Sequence, residues 1–210
     1  MDVEPILNVA EELAKAREEE ALRLLVRQAS LPLLAEAMLG WASQRKVEVL
    51  LDRVIPSRVY KALAEDLGGQ PVSFGGKVSA DLARDTVISS PWSQERMKKV
   101  LSWVGPKTWK YDPTNHYAYR YSPLGVVIFY NGLHSGAVGI LKRQGVLQVE
   151  EVDLGPMYQA GLQIRWLPSP GKKEKIPHAV FRNLAEPIPE ENHALLLALG
   201  EILHRHGVRL

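Results

Sequence analysis

The sequence predicts an α+β fold in which an N-terminal helical segment packs on a small mixed sheet. In the first 70 residues, apolar side chains recur at helical spacing between Glu and Arg residues. From Tyr117 onward the pattern changes to alternation, and then to the uncharged β-branched and aromatic run 126–130. We therefore predict a helical segment over 1–70 and an α+β core over 71–210, together forming one compact domain.

The N-terminal elements follow from spacing and from helix start and stop signals. Residues 4–28 predict a first amphipathic helix. A second helix is predicted over 31–44, because Ser30 is a preferred N-cap and Pro32 suits a first turn. A third helix is predicted over 57–67, where two glycines follow the last apolar position.

The middle of the chain reads as short helices that lead into strands. A short helix is expected over 79–87, and another opens with Ser90 as N-cap and Pro91 in the first turn. The run 126–130 predicts a strand buried on both faces. It is followed by a helix over 136–144 and a strand over 146–154, and this unit has the size of a right-handed crossover.

The C-terminal part is predicted to contain a strand pair and a last helix. Strands over 162–167 and 176–184 are expected to pair around the polar loop 169–175. The last helix is expected over 190–205.

Composition excludes several classes of site. The sequence has no cysteine, so disulfide scaffolds, thiol nucleophiles, zinc ribbons and iron–sulfur clusters are excluded. The first residues are acidic where a signal peptide is basic, and the longest apolar run is too short to span a bilayer. We expect a cytoplasmic protein with no membrane segment.

The turn 130–136, between the buried strand and the helix after it, is the strongest candidate site. Unpaired N–H groups of a first helical turn favour an anion. His134 is the candidate catalytic residue, as acid, base or hydrogen-bond donor, and Asn131, Gly132 and Ser135 are candidate ligand contacts. The structural alternative is that Asn131 forms a turn, Ser135 caps the helix and His134 is an ordinary partly buried imidazole.

Three further side chains are candidates for the same site. Arg96 would supply a cation there, unless it only forms a surface ion pair. Asn115 precedes the strand region and could face the same crevice. Asp153 ends the strand after the helix, where a carboxylate either binds magnesium or caps a turn. No metal site is predicted from the histidines, because His204 and His206 point to different helix faces.

The segment 125–154 resembles a unit of the ParB and sulfiredoxin superfamily, which consists of a strand, an Asp/Asn-Gly-x-His-Arg turn, a helix, a glycine and a strand. Here the turn reads Asn131-Gly132-Leu133-His134-Ser135, with serine in place of the arginine. In that superfamily the turn binds nucleotide or phosphate. The resemblance implies a similar strand-turn-helix-strand unit and the same class of ligand, with a nucleotide and magnesium as the candidate cofactor.

Residues 80–160 also resemble an uncharacterised bacterial family, a domain of unknown function found around phage and mobile elements. The shared features are Asp85, Pro91-Trp92-x-x-x-Arg96, Asn115, Pro123-Leu124-Gly125 and an Asn-Gly-x-His-Ser core. The two resemblances together imply a phosphate- or nucleotide-binding protein in a mobile-element or defence setting. An NTPase, a phosphotransferase and a nuclease all remain open.

A different function class is favoured by the stretch 96–143. It holds eight of the fifteen aromatic residues, and its basic residues outnumber the single acid, Asp112. Cations neutralise phosphates and aromatic faces stack on bases, so the alternative is a non-catalytic DNA- or RNA-binding or adaptor protein. The residues that would bind are Arg96, Lys98, Lys99, Lys107, Lys110, Arg120, Lys142 and Arg143. A third reading is a protein-interaction module on the N-terminal helices; the oligomeric state stays open.

Overall fold

The structure, a computed structural model, describes residues 2–168 and 174–210. The helices are α1 (Glu4–Ala16), α2 (Glu19–Leu39), α3 (Ser57–Leu67), α4 (Gln94–Trp103), α5 (Leu133–Lys142), α6 (Gly155–Gln159) and α7 (Glu191–Arg205). The strands are β1 (Ser73–Asp81), β2 (Val87–Ile88), β3 (Tyr117–Ser122), β4 (Val126–Asn131), β5 (Val146–Asp153), β6 (Gln163–Pro168), β7 (Lys175–Phe181) and β8 (Leu184–Pro187). This arrangement confirms the α+β class.

The N-terminal helices differ from the predicted ones in their boundaries. The helix predicted over 4–28 is interrupted at Arg17, which ends α1 in the left-handed conformation. The predicted start at Ser30 is wrong, because α2 continues through Pro32. Apolar side chains at helical spacing before and after the proline enter one core, and their burial offsets the hydrogen bond that proline removes. These are Leu22, Val26, Ala29, Leu33 and Ala37.

The first sheet has the strand order β1-β5-β3-β4-β2. β3 pairs antiparallel with β4 and parallel with β5. The predicted crossover is therefore wrong, because β4 and β5 run in opposite directions with β3 between them. The helix predicted over 79–87 is also wrong, since Ala80 pairs with Leu147 in the antiparallel ladder of β1 and β5.

Two cores lie on the two faces of this sheet. On one face, Tyr121, Ile128 and Val152 pack with the apolar sides of α1, α2, α3 and α7. On the other face, Phe129 and Val149 pack with Trp109 and are covered by α5. α4 packs on α5. The sheet therefore positions α5, and α5 positions α4.

The C-terminal part forms a second, antiparallel sheet with the order β6-β7-β8, packed against α7. The predicted strand pair is confirmed as β6 and β7, while Leu184 belongs to β8. Residues 169–173 of the predicted loop lie outside the described residues. Within the described residues, no helix is both long and apolar enough to cross a membrane. The division of the chain at residue 70 stays a prediction.

Candidate functional site

A groove of about 560 Å³ lies between α4, the start of α5 and the segment before β3. Its lining contains six of the seven predicted ligand and catalytic residues, namely Arg96, Asn115, Asn131, Gly132, His134 and Ser135. It also contains Trp92, Lys99, Val100, Trp103, Val104 and Leu133. Arg96 and Lys99 are cations, and no acidic residue belongs to the lining that the structure describes. The groove is therefore suited to an anion.

One wall of the groove is α4, which begins later than predicted. The N-cap is Ser93 and not Ser90, because the Ser93 hydroxyl accepts the N–H of Arg96 at 3.3 Å. Ser90 instead donates its hydroxyl to the carbonyl of Val47. Arg96, Lys99 and Trp103 follow at intervals of three and four residues, so they share one helix face, which borders the groove.

The opposite wall is the turn from β4 into α5. Gly132 has a φ of 68°, a left-handed conformation that glycine adopts without strain. A Cβ atom at this position would lie 2.7 Å from Cδ2 of His116 and 2.8 Å from the carbonyl oxygen of Asn115. Glycine is thus required for the close approach of the turn to the segment before β3. This approach brings Asn115 next to the start of α5.

His134 is buried at the base of the groove. Its ring meets Trp92 edge-on at 5.9 Å, and its Nε2 accepts the backbone N–H of Ser93 at 3.1 Å. Burial and the nearby Arg96 guanidinium lower the pKa of His134, so the ring is neutral at pH 7. Nε2 is therefore already engaged in joining the start of α5 to the start of α4.

Ser135 forms a close pair with a second histidine. Its Oγ lies 2.7 Å from Nε2 of His116. The Nδ1 atom of His116 accepts the N–H of Asp112, so in the neutral ring Nε2 carries the proton and donates it to Ser135. The Ser135 hydroxyl in turn donates to the carbonyl of Gly132. This direction is opposite to the one that activates a serine nucleophile, and the pair instead holds the turn.

The two asparagines line the mouth of the groove. Asn131 donates its amide to the carbonyl of Asn115 at 2.9 Å. The amide of Asn115 lies 3.5 Å from Ser135 Oγ. Both side chains are exposed, so their remaining amide groups face solvent at the groove.

Asp153, the seventh predicted residue, lies elsewhere. It pairs with Ser122 at the end of β3 opposite to the end that pairs with Asn131, because β5 is antiparallel to β4. Its carboxylate accepts the N–H of Gly155 and pairs with Arg209, which matches the turn-capping alternative. Across residues 2–168 and 174–210, no three His, Asp or Glu side chains form a group that could hold a metal ion.

A protein-family model matches residues 4–163, and its description is a family of unknown function, DUF6710. The chain belongs to DUF6710. The match begins with α1 and includes every residue of the groove, whereas the earlier resemblance covered only 80–160. No curated protein and no solved structure matches this DUF6710 chain. The likeness to the ParB and sulfiredoxin superfamily stays a prediction.

The basic and aromatic stretch of the DUF6710 chain is divided between core and surface. Trp109, Tyr121 and Phe129 are buried, so they belong to the sheet cores. The structure also engages several of the cations in backbone contacts: Lys142 donates to the carbonyls of Gly105 and Lys107, Arg120 to that of Leu210, and Arg143 to that of Ala83. Lys98, Lys99, Lys107 and Lys110 remain exposed on or after α4.

The sequence reasoning missed the aromatic part of the groove. Trp92 was noted only as a feature shared with the uncharacterised family, and Trp103 was only one of the eight aromatic residues of the stretch 96–143. The spacing of Arg96, Lys99 and Trp103 was the available signal, because residues three, four and seven apart share a helix face. In this DUF6710 protein that face points at the predicted turn.

Proposed function

We propose that the groove binds a nucleotide through its phosphate and its base. The observation that carries the proposal is the meeting of two cations, the first turn of α5 and two exposed indoles in one groove whose described lining has no acid. Cations and helix N-termini favour phosphate, while indole faces favour a planar ring. A phosphate alone would not need the indoles.

The phosphate would lie at the start of α5. The first intrahelical bond there runs from Gly136 to the carbonyl of Gly132, which leaves the N–H groups of 133–135 without a partner inside the helix. Arg96 and Lys99 face this turn from α4 and would neutralise the charge. The amides of Asn115 and Asn131 would complete the contacts with neutral hydrogen bonds.

The base would stack at Trp92. This indole is 38% exposed, and the Arg96 guanidinium lies 5.2 Å from its ring centre. Guanidinium planes and indole faces both stack on nucleobases. The base would therefore extend an existing stack.

The geometry supports binding more directly than catalysis. Nε2 of His134 accepts the N–H of Ser93, and Ser135 receives the proton of His116, so both side chains are engaged in holding the groove. We assign His134 a positioning role. The ParB-like resemblance adds nucleotide hydrolysis or transfer as a reaction to assay, and phosphate release with and without magnesium is the measurement.

The binding test uses two neighbouring lysines of α4. Lys99 lines the groove, whereas Lys98 is exposed but lies outside the lining. Lys99→Ala is expected to weaken nucleotide binding about tenfold, the effect of losing one charge-assisted contact, and Lys98→Ala is expected to leave it unchanged. Binding of ATP, CTP, GTP and inorganic phosphate is measured by calorimetry and by the shift in thermal stability.

Equal effects of the two variants would reject the groove as the site and indicate a general charge effect. A ligand that binds the wild type but not Lys99→Ala would support it. Both variants change an exposed side chain, so the free energy of unfolding without ligand is expected to stay the same.

The second candidate is binding of DNA or RNA along the exposed lysines. Trp103 is 69% exposed, and Lys107 Nζ lies 5.9 Å from its ring centre, which is a typical combination for single strands. Here a charge reversal at Lys98 and Lys99 together should weaken binding, with a steep dependence on salt because counterions are released. Loss of DNA binding on Lys98→Glu alone, with nucleotide binding retained, would favour this candidate.

A further inference from the structure

The groove has an indole and a cation at each end of α4. Trp92 lies just before α4, and its ring centre is 5.2 Å from the guanidinium of Arg96, which belongs to the first turn of the helix. Trp103, the last residue of the helix, lies 5.9 Å from Lys107 Nζ. Both indoles line the groove and both are exposed, Trp103 to 69%. The groove therefore offers two stacking positions.

The two positions are too far apart for one base. An α-helix rises about 1.5 Å per residue, so the seven steps from Arg96 to Trp103 span about 10 Å. Stacked neighbours in a nucleic acid strand are separated by only about 3.4 Å. A single base stacked between two rings spans about 6.8 Å, twice this spacing, and therefore cannot contact both indoles. Two bases are needed, one on each indole.

A cation lies between the two positions. Lys99 is on the same helix face, between Arg96 and Trp103 along α4, and it lines the groove. The exposed amides of Asn115 and Asn131 belong to the opposite wall. The middle of the groove is thus suited to a phosphate, and its ends are suited to planar rings.

We infer that the groove holds two nucleobases that are joined through a phosphate, one base at each indole and the phosphate beside Lys99. The inference rests on the proposed function and adds the class of ligand, a dinucleotide unit in place of a mononucleotide. Bases that stack on separate aromatic side chains are a common mode of single-strand recognition. The same chemistry is present in a free dinucleotide and in a stretch of single strand.

The test compares ligands of one, two and many units on the intact chain. Thymidine monophosphate, the dinucleoside monophosphate TpT and a short oligothymidylate are titrated, with tryptophan fluorescence and calorimetry as readouts. TpT is expected to bind at least about fivefold more tightly than thymidine monophosphate, because stacking of a second base on an aromatic ring adds about that much or more. An oligothymidylate that binds more tightly than TpT would identify a strand as the source, and equal affinities would identify a free dinucleotide.

Trp103→Ala is the decisive variant. It is expected to remove the advantage of TpT while thymidine monophosphate binds as before, and Trp103→Phe is expected to restore most of that advantage. Leu101→Ala is the control, since Leu101 is exposed on the same helix and lies outside the groove lining. Trp103 is largely exposed, so its replacement should leave folding intact.

The outcomes separate this inference from the proposed function. If thymidine monophosphate binds and TpT binds no more tightly, the inference is wrong and the proposed function stands. If Trp103→Ala weakens both ligands equally, the second stacking position is also rejected. If neither ligand binds the wild type, both proposals fail.

Discussion

Acidification should destabilise the protein through three buried histidines. His116, His134 and His193 are each less than a tenth exposed. Burial lowers the pKa of all three, although Asp112 opposes the shift at His116, and Glu36 and Glu48 oppose it at His193. Below about pH 6.5, the unfolded chain therefore binds more protons than the folded one. The stability is fully present above this pH and is lost as the pH falls toward the folded pKa values.

The magnitude follows from the linkage relation. Consider a histidine that titrates near its ordinary pKa in the unfolded chain and stays neutral in the folded one. Between about pH 7 and pH 5.5 it lowers the free energy of unfolding by about 1.2 kcal/mol. Three such residues give an upper limit of about 3 to 4 kcal/mol, a large part of the 5 to 15 kcal/mol that typically holds a domain folded. We expect a marked drop in stability over this range, well above the pH at which carboxylates titrate.

The assay is urea denaturation at the two pH values, for the wild type and for His193→Leu. Neither ring nitrogen of His193 has a well-formed hydrogen bond to a described group, although the backbone of Glu48 lies close enough to favour the charged ring, so leucine breaks at most this one contact. On acidification, the free energy of unfolding of the variant is expected to fall by about 1 kcal/mol less than that of the wild type. His204→Leu, a change at a half-buried position on the same helix, controls for the loss of a histidine. An unchanged pH dependence in His193→Leu would refute the reasoning.

Three other substitutions test the local structure. Ser135→Ala leaves the buried Nε2–H of His116 without its acceptor and should cost about 1 to 3 kcal/mol in urea denaturation; an unchanged midpoint would show that this bond is not formed. Gly145→Ala should cost at least about 2 kcal/mol in thermal denaturation, because φ is 118° and the added Cβ would lie 2.1 Å from Cε3 of Trp109; wild-type stability would contradict this. Pro32→Ala should stabilise the chain by about 1 to 3 kcal/mol, since it restores an interior bond of α2, and a lower melting temperature would indicate that the proline is needed there.

The sequence predicted elements best where the signal was local. Helix α3 has the predicted bounds, 57–67, because its apolar face and the glycine after it are contiguous in sequence. Strand β4 was also correct, since a run of β-branched and aromatic residues has few alternatives. The errors arose where residues distant in sequence determine the local structure. Residues 79–81 join β1 because β5 pairs with them, and Pro32 stays helical because the residues around it share a buried face.

The candidate site was predicted in part for the same reason. The turn 131–135 was recognisable from a glycine between a buried strand and a helix, and Arg96 and Asn115, which were predicted for the same site, lie beside it. Asp153 was assigned to the wrong end of the sheet, because the direction of β5 depends on its pairing with β3, which local patterning does not specify. The position of Trp103 in the groove depends on how α4 packs on α5, and this is also a tertiary property.

The ammonium group of Lys142 determines how the groove can respond to a ligand. It is at the end of α5 and donates to the carbonyls of Gly105 and Lys107, just after α4 ends. Met97 of α4 also packs on Ala137 and Val138 of α5. These contacts hold the two walls of the groove against each other. A ligand would meet a preorganised cleft, so little of its binding energy would be spent on moving α4 toward α5.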